Sequence, residues 1–130
     1  MRRLALTLLG ATALTIAIAA PTAPAASPPL LSLSSSSVRL DESVTIRGRQ
    51  WPVIEFCKRR VRLRLESDQN AVLIGFTRIR DNGRFTRKFT PRSGRIGPGP
   101  WRVVARLRCE SGEDGSANFI TRRKPLRIRR

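Results

Sequence analysis

The side chains of this chain that could carry chemistry are its arginines and its two cysteines. Arginine alternates with apolar residues in two stretches, residues 57–66 and 101–109, and each has a cysteine at one end, Cys57 or Cys109. Alternation with a period of two is typical of a strand that buries one face. Each stretch is therefore predicted to present guanidinium groups, good bidentate partners for phosphate and carboxylate, on its solvent face.

The sequence contains few residues suited to catalysis. Histidine and tyrosine are absent, so a Ser-His-Asp or Cys-His nucleophile cannot form. Glu110, Glu113 and Asp114 cluster in one short turn whose spacing fits no calcium loop, and no carboxylate pair is placed for glycoside hydrolysis. Trp51 and Trp101 could stack on a sugar, but they are predicted to close the ends of a core. We predict a protein that is not an enzyme, with no metal site and no cofactor.

The two cysteines are predicted to form a disulfide. If the two arginine-bearing strands lie side by side and antiparallel, the start of one meets the end of the other, and Cys57 meets Cys109. They are 52 residues apart, and closing such a loop stabilises a fold by about 4 kcal/mol in the chain-entropy model. A free, reactive thiol pair is the alternative, although neither cysteine lies in a Cys-x-x-Cys motif.

Residues 1–26 are predicted to be a signal peptide, and residues 27–130 the domain that follows it. Arg2 and Arg3 precede an apolar run at residues 4–20, and Ala23-Pro24-Ala25 fits the small-x-small pattern for cleavage before Ala26. An uncleaved membrane anchor is the alternative, but the run is short for a span. The expected location is therefore secreted or extracellular.

The charge balance points to an anionic partner. The chain has 26 Lys+Arg against 9 Asp+Glu, a net charge of +17. Without Arg2 and Arg3 the balance is 24 against 9, or +15. GC-rich codon usage would explain why arginine outnumbers lysine, but it does not explain the net charge. Such an excess attracts anionic polymers or surfaces.

Turn motifs suggest the fold. Gly48-Arg49-Gln50-Trp51-Pro52, a hairpin motif at residues 81–85 and the Gly-Pro-Gly-Pro-Trp run at residues 97–101 occur in order. Over residues 30–128 the chain resembles secreted bacterial immunoglobulin-like domains, whose specific function is unknown. The resemblance implies an all-β, immunoglobulin-like Greek-key β-sandwich of about seven short antiparallel strands. Such motifs are common turn chemistry and indicate fold more than function.

Some local details stay open in the sequence. The inward parity of residues 71–80 is ambiguous, and Gly75 is predicted to mark either a bulge or a point of close approach. Arg87 shares a face with the apolar Phe85, which predicts either a side chain that reaches out at an edge or a shift in register. The last strand is expected to be interrupted around residues 122–125.

In this sandwich three arginine-bearing strands share one sheet, so their outward arginines would form a single platform. Its members are Arg60, Arg62, Arg64, Arg102, Arg106, Arg108, Arg127 and Arg129. We predict an exported, non-enzymatic module that binds anionic extracellular or envelope material through this platform. The expected partner is an anionic envelope polymer or an acidic protein, with peripheral contact to a membrane surface as an option. A specific nucleic-acid partner is not expected, and the ligand and oligomeric state stay open.

Two other functions compete with this prediction. The enediyne-binding apoproteins are secreted immunoglobulin-like sandwiches of similar length, which makes a small-molecule carrier one alternative. This chain differs from them in its single cysteine pair and its strongly basic charge. A cationic membrane-active protein is the other alternative.

Overall fold

A computed structural model of the chain describes residues 27–111 and 115–130, together with Gly10, Thr12 and Thr15. Most of the predicted signal peptide, and Glu113 and Asp114, lie outside the described residues. The described residues form eight strands: β1 (Leu30–Leu33), β2 (Ser37–Arg39), β3 (Val44–Arg49), β4 (Arg60–Glu66), β5 (Ala71–Arg78), β6 (Phe85–Phe89), β7 (Gly99–Ser111) and β8 (Ser116–Arg129). Among these residues there is no helix of the length and hydrophobicity needed to cross a membrane.

The strands form two sheets, with the orders β1-β3-β6 and β2-β8-β7-β4-β5. The pairing of β2 with β8 is parallel, and the other named pairings are antiparallel. The connectivity is that of an immunoglobulin-like Greek-key sandwich, so the predicted fold class is confirmed. The strand count is eight rather than about seven, because the chain changes sheet at residues 34–36 and splits the first extended segment into β1 and β2.

The core lies between the sheets and is built from alternate strand positions. Val61, Leu63 and Leu65 on β4 have no exposed area, whereas the residues between them are at least partly exposed. The two tryptophans also belong to the core, with 2% of Trp51 and 6% of Trp101 exposed. Their indole N–H groups donate to the carbonyl oxygens of residues 30 and 97, at 3.0 and 2.8 Å. Neither ring is therefore free to stack on a sugar.

The predicted disulfide is present and lies within one sheet. Cys57 and Cys109 face each other in an antiparallel bridge just before β4 begins, and their sulfurs are bonded. The backbone N–H groups of Lys58 and Glu110 donate to carbonyl groups of the opposite segment on either side, at 2.9 and 2.7 Å. The cysteines therefore form a non-hydrogen-bonded pair, the position at which opposite side chains lie closest. This confirms the predicted antiparallel arrangement.

β5 forms one edge of the five-stranded sheet and contains a bulge one residue before Gly75, the predicted position. Leu63 pairs with Gly75 and Arg64 pairs with Leu73, so Ile74 is an extra residue on β5. The bulge changes which positions face inward: residues 72 and 74 pack against the core before it, and Ile79 is fully buried after it. For this reason the sequence offers apolar candidates for the core at both odd-numbered and even-numbered positions of this segment.

Arg87 extends from the edge strand β6 to the edge strand β5. Its Nη1 and Nη2 atoms donate to the carbonyl oxygens of Phe76 and Ile74, at 3.5 and 3.4 Å. Gly75 leaves room for this contact, since a Cβ atom there would lie 2.8 Å from Nη2. The guanidinium group thus lies at the open side of the sandwich, although Arg87 shares a face of β6 with the buried Phe85.

The turn at residues 81–85 differs from the predicted hairpin. Gly83 adopts a φ of 77°, and its N–H donates to the carbonyl of Arg80 at 2.9 Å, as a tight turn requires. The strands on either side, however, belong to different sheets. The N–H of Arg80 donates to the carbonyl of Arg84 at 2.8 Å, but β5 and β6 do not pair beyond this turn, which links the two layers of the sandwich.

The last strand is continuous, contrary to the expected interruption around residues 122–125. β8 runs through Pro125, which lies opposite Arg102 of β7. On its other side β8 is covered by β2 only at residues 127–129. Pro125 therefore lies where β8 is an edge strand, the setting in which a residue without an N–H donor is tolerated.

We predict that removing the disulfide destabilises the domain substantially. The double substitution Cys57→Ala/Cys109→Ala should lower the free energy of unfolding by about 4 kcal/mol, because the unfolded chain loses a closed loop. Urea denaturation under non-reducing conditions measures this difference. An unchanged midpoint would show that the hydrogen-bonded ladder alone holds the two segments together.

We also predict that a methyl group at position 48 is not tolerated. Phe85 lies directly over Gly48, and a Cβ atom there would come within 2.0 Å of the Phe85 ring. Gly48→Ala should therefore cost about 1–3 kcal/mol through overpacking. Gly97→Ala is the matched control, since a Cβ at Gly97 meets nothing within 4 Å. Thermal denaturation of both variants should separate them, and equal melting temperatures would contradict the packing described.

Candidate functional site

All eight arginines of the predicted platform lie on the outer face of the five-stranded sheet. On β4 and β7 they occupy the positions between buried residues. On β8 the pairing of Arg102 with Pro125 assigns odd-numbered residues to this same face, which includes Arg127 and Arg129. The face is shared, but the eight arginines divide into separate groups along it.

One group surrounds a groove beside the disulfide, which we call the cationic groove. It has a volume of about 500 Å³ and is lined by Lys58, Arg59, Arg60, Arg62, Phe76, Arg106, Arg108 and Phe119. Four of the eight predicted arginines are in this group: 60, 62, 106 and 108. Arg59 is also present, but its guanidinium group is paired with Asp81 at 2.6 Å.

The other four predicted arginines lie away from the groove. Arg64 pairs with Glu66, and Arg102 pairs with Asp68, with N–O distances of 3.6 Å in both cases. Arg127 lies eight residues along β8 from Phe119, a separation of about 26 Å at the usual rise of a strand. Arg129 is farther still. The eight arginines therefore share one face but form more than one group, because ion pairs and strand length separate them. That they act as a single binding platform stays a prediction.

Two arginines occupy directly opposite strand positions at the centre of the cationic groove. Arg62 on β4 lies directly opposite Arg106 on β7, and on its other side it lies opposite Phe76 of β5. Within residues 27–111 and 115–130, neither of these two arginines forms an ion pair with a carboxylate. Like charges at directly opposite strand positions destabilise a sheet. A bound anion between the two strands would reverse that effect.

Two exposed phenylalanines flank these charges. Phe76 and Phe119 are 51% and 46% exposed. The Arg60 guanidinium carbon lies 5.7 Å from the centre of the Phe76 ring, and that of Arg106 lies 3.7 Å from the centre of the Phe119 ring. These cation–π contacts hold each guanidinium group against a ring face. Its N–H groups, which lie in the guanidinium plane, stay available at the rim to bind an anion.

Both phenylalanines were missed as site residues in the sequence. Phe76 reaches the outer face because of the bulge at Ile74, which a strict alternation does not reveal. Phe119 was separated from the arginines of the last strand by the assumed break at residues 122–125. If β8 is taken as continuous, Phe119 has the parity of Arg127, and this could have been found from the sequence.

A second basic patch lies on the other sheet. Arg47, Arg49, Arg80 and Arg84 line a shallow depression on the outside of β3 and β6. The aromatic residue beside it, Phe85, is buried. Positive charge is therefore present on both outer faces, but the combination of arginine with exposed aromatic rings belongs to the cationic groove.

Comparison with known proteins gives little beyond the architecture. No family model and no curated protein matches the chain. Among solved structures, that of murine CRIg, an immunoglobulin-like domain, is similar with a TM-score of 0.47 and 12% sequence identity, over 80% of this chain and 100% of that chain. A similarity this distant carries no information on function. Membership of the secreted bacterial group with similar turn motifs stays a prediction.

We predict that the opposed arginines cost stability in the absence of an anion. Arg62→Gln should raise the free energy of unfolding by roughly 0.2–1 kcal/mol at low ionic strength, because it removes one of two facing charges. The gain should shrink in about 0.5 M salt, where screening weakens the repulsion. Arg47→Gln is the control, since its opposite residues, Ser32 and Thr86, are uncharged. Denaturation at two salt concentrations tests this, and equal effects at both positions would contradict it.

Proposed function

We propose that the protein is an exported, non-enzymatic module that binds anionic extracellular or envelope material in the cationic groove. The observation that carries this proposal is the facing pair of Arg62 and Arg106, which lacks a carboxylate partner among the described residues. The pair opens into a groove large enough for several ligand atoms. The disulfide and the sandwich fold support an extracellular location, because both are typical of exported domains.

The chemistry of the groove favours phosphate, sulfate or carboxylate groups. Six of its eight lining residues are basic, and five of those six are arginine, which binds planar or tetrahedral oxyanions in a bidentate manner. The net charge of +17 adds a long-range attraction that steers any polyanion towards the molecule. Specific docking then depends on the groove, where the guanidinium groups are held by strand pairing and aromatic contacts.

A small-molecule carrier is a weaker alternative. The groove lies on the outer face of a sheet and not between the two sheets, and charged side chains dominate its lining. A neutral cargo would contact Phe76 and Phe119 but would leave the guanidinium groups of the groove without an anionic partner. A repeating anion, by contrast, could follow the row of positive side chains across β4 and β7.

The proposal predicts retention of the purified protein on a heparin column at about 0.15 M salt and above. The double variant Arg62→Glu/Arg106→Glu should elute at clearly lower salt, because it reverses both facing charges. Arg47→Glu/Arg49→Glu changes the net charge by the same amount on the other sheet, and its elution should shift less.

Two results would contradict the proposal. The first is elution of the wild-type protein below about 0.15 M salt, the ionic strength at which an extracellular module must work. The second is an equal shift for both double variants, which would attribute retention to net charge and not to the groove. Circular dichroism spectra of the variants check that the sandwich is intact.

A further inference from the structure

An apolar tip projects from the end of the sandwich that carries the cationic groove. Ile54 and Phe56 are 43% and 60% exposed, although both are large and apolar. The tip is held firmly: the N–H of Cys57 donates to the carbonyl of Ile54 at 3.1 Å, and the carbonyl of Phe56 accepts from Glu110 at 2.7 Å. The disulfide at Cys57 follows immediately.

The apolar tip and the cationic groove belong to one continuous surface. The Cys57 side chain points into the core, with 7% exposed, so alternation directs Phe56 and Lys58 outward. Lys58 lines the groove. Six large hydrophobic side chains of the described chain are markedly exposed: Leu30, Ile54, Phe56, Leu73, Phe76 and Phe119. All except Leu30 lie on this face or at its end, so most of the exposed apolar side chains of the described residues are on the same side of the molecule as the groove.

We infer that this surface docks on an anionic lipid bilayer. This inference rests on the proposed function and specifies its partner. The groove arginines would contact lipid phosphates, and Ile54 and Phe56 would enter the boundary between head groups and acyl chains. A hydrated polymer offers no apolar layer to cover these two side chains. A bilayer offers anionic phosphates at its surface and an apolar layer directly beneath them.

The geometry of the tip suits insertion. Because hydrogen bonds and the disulfide fix the backbone at residues 54–57, little conformational freedom is lost on docking. Glu55 and Glu110 lie at this end and oppose an anionic surface. Five basic residues of the groove remain when Arg59, which is paired with Asp81, is left out, and they outnumber the two glutamates, so the net attraction remains.

The test places a fluorescent reporter at the tip. Trp51 and Trp101 are buried, so Phe56→Trp adds an exposed tryptophan to a nearly constant background, with the wild-type protein as the control. Vesicles of phosphatidylglycerol and phosphatidylcholine with brominated acyl chains should quench the new emission and shift it to shorter wavelength. Vesicles of phosphatidylcholine alone should leave it unchanged.

Two double variants separate this inference from the proposed function. Ile54→Ser/Phe56→Ser should bind anionic vesicles at least about tenfold more weakly in co-sedimentation, because it removes the inserted apolar area. Its retention on heparin should stay at the wild-type level, since the groove is untouched. Arg62→Glu/Arg106→Glu should weaken both interactions.

The outcomes are distinguishable. Unchanged vesicle binding of Ile54→Ser/Phe56→Ser, or absence of quenching for Phe56→Trp, overturns the bilayer inference and leaves the groove proposal to be judged by heparin retention. Wild-type binding to heparin without binding to anionic vesicles identifies a soluble polymer as the partner and also overturns the inference. Full heparin retention of Arg62→Glu/Arg106→Glu overturns the proposed function itself.

Discussion

The register between β4 and β7 determines the rest of the structure. Cys57 and Cys109 join the two segments at one end, and the ladder of β4 and β7 runs from Arg62 opposite Arg106 to Glu66 opposite Arg102. Between the disulfide and this ladder the β4 side has two residues more than the β7 side, a shift that keeps the inward and outward positions of both strands. Because strand side chains alternate with a period of two, a slip of one residue in either strand would exchange its arginines for its core residues. The covalent link therefore maintains both the apolar interior and the charged exterior.

Charge is distributed along the outer face in a way that stability alone would not favour. At the end near the β4–β5 turn, Arg64 and Arg102 have acidic partners in Glu66 and Asp68. At the disulfide end, arginines face one another with aromatic rings beside them. Like charges in register reduce sheet stability, and the proposed binding of an anion would offset this cost at that end. The exposed apolar tip at that same end is the second feature of this kind.

The sequence predicted the parts of the site that depend on simple alternation. Alternation with a period of two predicted the strands around Val61 and Val103 and the common face of their arginines. The assumption that these two strands pair antiparallel predicted the disulfide. The bulge at Ile74 could be suspected but not placed, and it decides where Phe76 points. Arg102 forms its ion pair with Asp68, a loop residue that becomes its neighbour only through the pairing of β4 with β7. Contacts that arise from such tertiary placement have no local sequence pattern.

The contact between Arg87 and β5 affects how neighbouring molecules can associate through their edge strands. Both β5 and β6 are outermost strands, and outermost strands invite strand addition from a second molecule. The Arg87 guanidinium group occupies two carbonyl oxygens that an incoming strand would need. The Arg87 contact is therefore expected to hinder the formation of an intermolecular β-sheet along this side, even where many copies are close together.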